Sequence, residues 1–461
     1  MQSGQNHLLW LIVLMEGFVM ISLEILAIRQ FMPFVGNNVT VTSLIIGCFL
    51  LFLAYGYRQG GQVQINHWLK LRTNFLLATP LIGIGLSYPA LYIYFNHFLI
   101  LQQLPMLGMV ALYLLLVLAP LVYLLGQTLP ITMNLIQLVG PTGAIGGRIL
   151  HISTLGSFCG AVLTSMLLFT YLGVAWTLYL NFLILVLLIV FISYTQQQLW
   201  TWPILMLALL SGVVYQFNIA FERNFFVKTN SYANYALAKV DQFAAPGKAL
   251  IINDSYSSFL SETNQAFPYI EKIKSWLFDE LKLTHQQILV LGAGGFSLTA
   301  QGTYNNHFTY VDIDPDLAKV VAKHFLSPLP PNIITQDARQ FLNQTPKTYD
   351  VIIGDTYSNR FQVPSHLLTQ EYFQAIQQHL KIGGYAIFNL ILNPTLNSAY
   401  DQRLDYTLRS VFPHCMSLPL RYTNHPTNVL YLCHHQGSTH QDRTIYRDNQ
   451  HSIELDLPVH H

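Results

Sequence analysis

The sequence predicts an N-terminal all-α transmembrane bundle of about seven helices, followed by an α/β domain with a doubly wound, mostly parallel sheet. Hydrophobic residues make up 52% of the 461 residues and charged residues only 10%, whereas ordinary soluble domains contain roughly 25% charged residues. The chain has 23 Lys and Arg and 22 Asp and Glu, and seven of them lie in residues 1–220. In the second half, strand-like and helix-like segments alternate. This composition excludes a disordered, fibrous or nucleic-acid-coating protein.

Residues 1–220 are predicted to form the transmembrane domain, because a spanning helix needs about 20 mostly apolar residues. The segments that qualify are 8–28, 41–58, 74–95, 105–127, 148–171, 175–194 and 199–217. The first segment contains two acidic residues and no small-residue cleavage site, so we expect it to remain as a membrane helix. Residues 128–147 contain Pro130 and Pro141, and we expect an interfacial or re-entrant piece there.

The first predicted helix contains two acidic residues, Glu16 and Glu24. A carboxylate at membrane depth is costly, so it normally faces a partner or a wet cavity. One interpretation is a membrane cavity, lined by both acids, for a cationic or polar ligand. The alternative is that Glu24 pairs with Arg29 while Glu16 makes a structural hydrogen bond.

Small residues at Gly156 and Gly160 have the spacing that allows close helix packing. This favours packing inside the bundle over the alternative, a homo-oligomer interface. The four cysteines have no metal-ligand spacing, so no metal cofactor is expected. Cys415 and Cys433 are expected on neighbouring late strands as a reduced pair.

The rest of the chain is predicted to have three parts. Residues 221–285 form a linker and small β-region, with a short antiparallel sheet in 229–263. Residues 286–436 form the α/β domain, and the His-rich residues 437–461 form a polar, disordered tail. The predicted elements are helix 269–281, strand 287–291, a helix after Gly295, strand 308–314, helix 315–325, strands 333–335 and 349–354, helix 369–381, and strands 385–391 and 428–434.

Polar motifs follow the predicted strands. Gly292 and Gly294 come directly after the first strand, where glycines let a ligand approach the backbone at a helix N-terminus. Asp312 lies 20 residues beyond Gly292, a spacing that favours hydrogen bonds to ribose hydroxyls. Asp337 follows the third strand, where a carboxylate can reach an adenine amino group, and Asp355 follows the fourth. The structural alternative for each acid is a turn or helix-capping aspartate.

At these motifs the chain resembles the spermidine synthase (aminopropyltransferase) family. The resemblance covers roughly residues 229–392 and includes Leu-Gly-Ala-Gly-Gly, Val-Asp-Ile-Asp-Pro, Gln-Asp-Ala-Arg-Gln-Phe-Leu, Tyr-Asp-Val-Ile-Ile-Gly-Asp-Thr and Leu-Thr-Gln-Glu-Tyr-Phe. The apolar half is similar to that of the membrane-integrated members. The resemblance implies a Rossmann-like class I methyltransferase fold. It also implies transfer of an aminopropyl group from decarboxylated S-adenosylmethionine to an amine, with release of methylthioadenosine.

The resemblance also implies roles for individual residues. Asp312 matches the acid that holds the ribose, and Asp337 matches the acid on the adenine side. Asp355 matches the catalytic aspartate that takes the proton from the attacking amine. Glu271 matches a glutamate that helps to hold the amine, and Tyr357 is a candidate support.

Two acids of the family pattern are missing. Gly292-Ala-Gly-Gly-Phe296 stands where the family has Gly-Gly-Gly-Asp-Gly, and Asp355-Thr-Tyr-Ser-Asn359 stands where it has Asp-Ser-Ser-Asp-Pro. Both losses remove negative charge, which argues against a diamine acceptor. They suit ordinary S-adenosylmethionine, because acidic side chains would repel its carboxylate.

Three functions follow from these patterns. The first is a membrane-anchored aminopropyltransferase-like enzyme that uses decarboxylated or ordinary S-adenosylmethionine, without a metal. The second is an S-adenosylmethionine-dependent methyltransferase acting on a membrane-delivered substrate. The third is a nonenzymatic transporter or sensor that binds a nucleoside. The expected partners are the lipid bilayer and a small-molecule amine or apolar acceptor, and no nucleic acid.

The orientation in the membrane has conflicting indications. Arg58, Lys70 and Arg72 cluster in the second loop, and Arg148 follows the fourth predicted helix. The positive-inside rule places both groups in the cytoplasm, and three further spans would then leave the α/β half outside. The implied cosubstrate is cytosolic, which favours an integral protein of the plasma or inner membrane with its α/β domain in the cytoplasm.

Overall fold

The computed structural model describes residues 2–36, 39–97, 104–136, 142–197, 201–241, 245–357, 363–435 and 446–448. The chain divides into two compact units. Met1–Val35 and Val39–Ser231 form the body of the first unit, and Tyr232–Pro458 forms the body of the second.

The first unit consists of helices, several of which continue through a short π-helical segment. The helices are α1 (Gln2–Val35), α2 (Val39–Gly61), α3 (His67–Pro80), α4 (Tyr88–His97), α5 (Met106–Tyr113), α6 (Ala119–Gly126), α7 (Thr128–Leu135), α8 (Thr142–Leu163), α9 (Val174–Thr195), α10 (Thr201–Tyr215) and α11 (Phe221–Phe225). The π-helical segments are Leu81–Gly85, Leu114–Leu118, Thr164–Leu172 and Gln216–Ala220.

Six helices in the described residues are long and apolar enough to cross a membrane, and a seventh span is possible if a bent pair counts as one. The bent pair joins His67–Gly85 to Tyr88–His97 at an angle of 62°. This agrees with the predicted bundle of about seven helices. The expectation for residues 128–147 is wrong at its start, because Thr128–Leu135 continues the helix that begins at Met106.

The glycines of α8 are used for packing within the chain. A Cβ atom on Gly156 would lie 2.1 Å from the carbonyl oxygen of Leu14 in α1, and one on Gly160 would lie 2.4 Å from that of Phe18. The backbones of α1 and α8 therefore touch, which is the role expected of small residues at helix crossings.

The described residues from 228 onward form two sheets and five α-helices. The strands are β1 (Lys228–Thr229), β2 (Asn234–Val240), β3 (Gly247–Ile252), β4 (Ser255–Ser261), β5 (Gln287–Leu291), β6 (His307–Asp312), β7 (Ile333–Thr335), β8 (Tyr349–Gly354), β9 (Leu380–Leu392), β10 (Cys415–Pro419) and β11 (Thr427–His434). The helices are α12 (Pro268–Lys274), α13 (Leu317–His324), α14 (Ala338–Gln344), α15 (Gln370–Gln378) and α16 (Ala399–Val411).

The larger sheet has seven strands in the order β10-β11-β9-β8-β5-β6-β7. The strands from β7 to β9 pair in parallel, and β11 and β10 add antiparallel pairs at one edge. This is the predicted Rossmann-like, mostly parallel sheet. The four-stranded sheet β1-β2-β3-β4 is the short antiparallel sheet expected in 229–263, since β2, β3 and β4 pair antiparallel.

Two local expectations fail. The segment after Gly295 contains only a short 3₁₀ turn, Ser297–Thr299, and not the predicted helix. Phe296 precedes this turn with a left-handed backbone (φ 56°), which interrupts regular helix geometry. Cys415 and Cys433 form a disulfide rather than the expected reduced pair, because they stand directly opposite each other in the β10–β11 register.

Residues 446–448 of the predicted tail pack against the α/β domain. Tyr446 is 1% exposed, and its amide donates to the hydroxyl of Thr407 at 2.8 Å. Arg339 pairs with Asp448. The expectation of a disordered tail therefore does not hold for residues 446–448, while most of 437–461 lies outside the described residues.

Candidate active site

The predicted glycine turn follows β5 and contacts the end of the neighbouring strand β8. Gly292 has φ +88° and Gly294 has φ +49°, a left-handed region that favours glycine. A Cβ atom on Gly292 would lie 2.2 Å from the carbonyl oxygen of Asp355. The amide of Gly295 donates to the hydroxyl of Ser258 at 2.8 Å. The turn therefore packs directly against the loop that carries Asp355, and only glycine fits at 292.

Asp312, at the end of β6, is held by the same turn. Its carboxylate accepts hydrogen bonds from the amides of Ala293 and Asp314, both at 3.0 Å. Burial raises the pKa of the Asp312 carboxyl above its ordinary value, and the amide hydrogen bonds partly oppose this. The carboxylate is only partly exposed, and it lies at the carboxyl edge of the sheet, where ligands of this fold class bind.

Asp355 lies at the centre of a hydrogen-bonded chain of side chains. Its Oδ2 accepts from the Tyr269 hydroxyl at 3.0 Å, and its Oδ1 accepts from Asn389 Nδ2 at 2.9 Å. The Asn389 Oδ1 accepts in turn from Asn428 Nδ2 at 2.9 Å. Burial raises the pKa of the Asp355 carboxyl, and the hydrogen bonds from Asn389 and Tyr269 lower it by less. The result is a positioned carboxylate with a raised pKa, as a general base requires.

Tyr357 contacts the neighbouring strand rather than Asp355. Its hydroxyl donates to the carbonyl oxygen of Asn389 at 3.3 Å and accepts from the amide of Ile391 at 2.6 Å. The side chain thus fixes the loop after β8 against the end of β9. Ser358 and Asn359, where an acid of the family pattern is missing, lie outside the described residues.

Asp337 caps helix α14. Its Oδ1 accepts from the amides of Arg339 and Gln340 at 3.0 and 2.9 Å, which is the usual geometry of an N-cap. Its Oδ2 lies 3.0 Å from His366 Nε2. The hydrogen bond from His366 is the main cause that lowers the pKa of the Asp337 carboxyl. Asp337 therefore has the helix-capping role that was the structural alternative to binding the adenine.

Glu271 is already paired with a buried lysine. Its Oε1 accepts from Lys274 Nζ at 2.9 Å and from the amide of Ala266 at 2.6 Å. The Lys274 side chain is 6% exposed and also reaches Gln301. Glu271 therefore presents less net negative charge to a cationic amine than the sequence suggests.

The two acids of the first helix have different surroundings. Glu16 is 3% exposed, faces the bundle interior and accepts a long hydrogen bond of 3.4 Å from the Ser153 hydroxyl. Glu24 is half-buried. Arg29 directs its Nε to the carbonyl oxygen of Asn230 at 2.7 Å. A cavity lined by both acids stays a prediction.

Sequence reasoning did not assign site roles to Tyr269, Asn389 and Asn428. Tyr269 lies two residues before Glu271, which the family resemblance singles out, so its position was available as a signal. Asn389 lies inside the apolar strand β9 and Asn428 in β11, and neither belongs to a local pattern. Their convergence depends on the β9–β11 register, in which Asn428 stands opposite Ile391.

Comparison with known proteins supports the family resemblance of this domain. Residues 247–440 match the family model of the Spermine/spermidine synthase domain. This part of the chain is therefore similar to the spermine/spermidine synthases. The match confirms the resemblance and, with the sheet order, the predicted fold, but the matched range does not include the helical unit.

Three curated relatives each match part of the chain. A probable polyamine aminopropyl transferase of Bifidobacterium longum is 26% identical over 145 residues, 31% of this chain and 32% of the relative. Polyamine aminopropyltransferase 2 of Hyperthermus butylicus is 28% identical over 196 residues, 39% of this chain and 60% of the relative. An N-terminal histidine N-methyltransferase of Emericella nidulans is 31% identical over 134 residues, 28% of this chain and 23% of the relative. The chain thus aligns with less than two thirds of each relative.

Proposed function

We propose that the chain is a membrane-anchored aminopropyltransferase-like enzyme that uses an S-adenosylmethionine-type cosubstrate and releases methylthioadenosine. The observation that carries this proposal is the Asp355 carboxylate at the end of β8. It is held on both oxygens by Tyr269 and Asn389 and packs against the glycine turn through Gly292. The family match and two relatives named as aminopropyl transferases support the proposal.

In this proposal the glycine turn and Asp312 bind the nucleoside. A sulfonium-bound carbon then lies near Asp355, where the acceptor amine approaches. The amine nitrogen forms a bond to that carbon, the carbon–sulfur bond breaks, and its electron pair stays on the sulfur of methylthioadenosine. The excess proton on the nitrogen passes to the Asp355 carboxylate. An amine is nucleophilic only when it is unprotonated, so the carboxylate must orient it and accept a proton.

The charge around Asp355 bears on the acceptor and the cosubstrate. Glu271 is paired with Lys274, and Gly295 stands where the family pattern has an acid. We therefore propose that the acceptor carries fewer positive charges than a diamine. The same loss of acids removes repulsion against the carboxylate of ordinary S-adenosylmethionine, so both the decarboxylated and the ordinary cosubstrate belong in the assay.

Methyl transfer is the second candidate function, and the N-methyltransferase relative favours it. In that case an apolar acceptor would come from the membrane, and the enzyme would release S-adenosylhomocysteine. Aminopropyl transfer and methyl transfer need the same nucleoside site, so the site alone does not separate them.

The released nucleoside separates these functions. The purified full chain is incubated with each cosubstrate and a panel of mono-, di- and polyamines and apolar acceptors, and the products are identified by mass spectrometry. With decarboxylated S-adenosylmethionine we expect methylthioadenosine and an acceptor heavier by one aminopropyl group. With ordinary S-adenosylmethionine the same reaction would release methylthioadenosine and leave an aminocarboxypropyl group on the acceptor. Release of S-adenosylhomocysteine would instead establish methyl transfer. Nucleoside binding without either product would favour a transporter or sensor.

We further propose that the α/β unit faces the cytoplasm, where the cosubstrate is made. The Cys415–Cys433 disulfide counts against this, since disulfides are typical of oxidising compartments. A labelling site at Ile382, which is 97% exposed, tests the side directly. We expect Ile382→Cys in intact cells to react with a membrane-impermeant maleimide only after permeabilisation. Labelling before permeabilisation would place the unit outside.

A further inference from the structure

A cavity in the membrane unit has no part in the proposed reaction. Its volume is about 470 Å³, which lies within the range of small-molecule sites. It lies between α2 and the continuous helix Met106–Leu135. Two of its lining residues, Tyr55 and Leu115, are 51% and 56% exposed, so the cavity opens at the outer surface of the bundle.

Two glycines of α2 shape this cavity. A Cβ atom on Gly56 would lie 2.7 Å from the carbonyl oxygen of Tyr123, and one on Gly60 would lie 2.6 Å from that of Gln127. The backbones of the two helices therefore touch at these two glycines. Larger side chains beside this contact, such as Phe52 on α2 and Tyr123 on the neighbouring helix, form the walls of the cavity.

The cavity is apolar at one end and cationic at the other. Phe52 and Leu115 lie within the spanning parts of their helices, whereas Arg58 lies in the last turn of α2. Gln59 and Gln62 line the same end. Within the described residues, the side chains of these three polar residues make no hydrogen bond or ion pair, so their donors are free to bind a ligand.

The lining of the cavity carries charge of a single sign, that of Arg58. In the sequence, residues 59–79, which follow Arg58, contain no acidic residue. No acid lines the cavity. A ligand of complementary chemistry is therefore anionic next to Arg58 and apolar next to Phe52. The planar guanidinium of arginine matches the geometry of a phosphate group.

We propose that this cavity binds an anionic phospholipid from the bilayer. The phosphate contacts Arg58, the glutamines bind the rest of the headgroup, and the upper part of one acyl chain lies on Phe52 and Leu115. A free phosphate would satisfy Arg58 but would leave the apolar wall uncovered. The position at the end of a predicted span also favours a lipid, because a headgroup lies at that depth.

Photocrosslinking in vesicles tests this site. The full chain is reconstituted in phosphatidylcholine vesicles that contain a minor fraction of phosphatidylglycerol with a photoreactive acyl chain. We expect crosslinks in the peptides that carry Phe52 and Leu115. Loss of the arginine–phosphate contact in Arg58→Gln should reduce this labelling by about tenfold. Arg148→Gln, which changes another exposed arginine outside the cavity, should leave it unchanged.

Further variants separate a lipid site from other outcomes. Arg58→Lys keeps the charge and should retain part of the labelling. Leu115→Trp narrows the apolar end and should reduce labelling while Arg58 is intact. Each variant is compared at equal helical content by circular dichroism. Equal labelling of the wild type and Arg58→Gln would overturn the proposal, as would equal labelling by a matched phosphatidylcholine probe. Displacement of the probe by inorganic phosphate would identify a free-phosphate site instead.

Discussion

The loops that follow β7 and β8 each carry an aspartate close to the strand end, yet the two aspartates have different surroundings. Asp337 comes directly before α14, and one of its oxygens caps that helix. Thr356 and Tyr357, which directly follow Asp355, are not helical. Both oxygens of Asp355 accept hydrogen bonds from side chains on other segments, Tyr269 and Asn389. An acid at a strand end is available for chemistry when its oxygens do not cap the N-terminus of a helix.

The pKa values of the two aspartates are also shifted in opposite directions. At Asp337 the contact with His366 and the amides of the helix outweigh burial, and the pKa is lowered. At Asp355 burial outweighs two side-chain hydrogen bonds, and the pKa is raised. A carboxylate with a raised pKa is the better proton acceptor, so we expect substitutions at Asp355 to affect rate and substitutions at Asp337 to affect stability.

The largest expected effect is that of Asp355→Asn, which keeps the shape and removes the base. Turnover should fall by about 10² to 10⁴, while cosubstrate affinity changes little, as measured by steady-state kinetics and calorimetric titration. Asp350→Asn is the matched control, because Asp350 lies near the start of the same strand and pairs with Lys381. Near-normal turnover of the Asp355 variant would make this residue a positioning residue only.

The next largest effect is expected for Asp312→Ala. Loss of charge-assisted hydrogen bonds to ribose should weaken nucleoside binding by about 2 to 4 kcal/mol. Calorimetric titration with S-adenosylmethionine and methylthioadenosine measures this, and circular dichroism checks the fold, since Asp312 also accepts hydrogen bonds from the amides of Ala293 in the glycine turn and of Asp314. An unchanged affinity for both nucleosides would remove Asp312 from the binding site.

Asp337→Ala should lower the free energy of unfolding by about 1 kcal/mol through loss of the helix cap. Because the folded pKa of Asp337 is lowered, its contribution is present above the unfolded pKa and is lost as the pH falls through the folded one. Chemical denaturation at neutral and acid pH measures both effects. If nucleoside affinity fell more than tenfold while stability stayed constant, Asp337 would act on the adenine side as the family resemblance implies.

The smallest effect is expected for Tyr269→Phe. The Tyr269 hydrogen bond lowers the pKa of Asp355, so its removal should move the acid limb of the turnover profile to higher pH. Tyr357→Phe is the control, because that hydroxyl binds the end of β9 instead. If the two variants shifted the acid limb equally, the Tyr269 hydrogen bond would not control the charge of Asp355.

Local sequence was enough to predict the strands and the acids that follow them, because apolar runs end at glycine or aspartate at the sheet edge. It failed at Phe296, whose left-handed backbone no periodicity reveals, and it did not predict the helices α14 and α16. The disulfide and the convergence of Asn389 with Asn428 both depend on strand register. Register is decided by packing across the whole sheet, so residues far apart in the chain meet without any local motif.

The central claim is that Asp355 accepts the proton of the acceptor amine, and the pH dependence of turnover tests it most directly. Turnover is measured for the wild type and Asp355→Asn with two acceptors whose amine pKa values differ, so that the acceptor's own titration is recognised by its shift. The wild type should show an acid limb, common to both acceptors, above the ordinary aspartate pKa of 3.8, because burial raises the pKa of Asp355. The Asn variant should lack this limb. If the same limb persisted in the Asn variant, another group would accept the proton and the claim would be wrong.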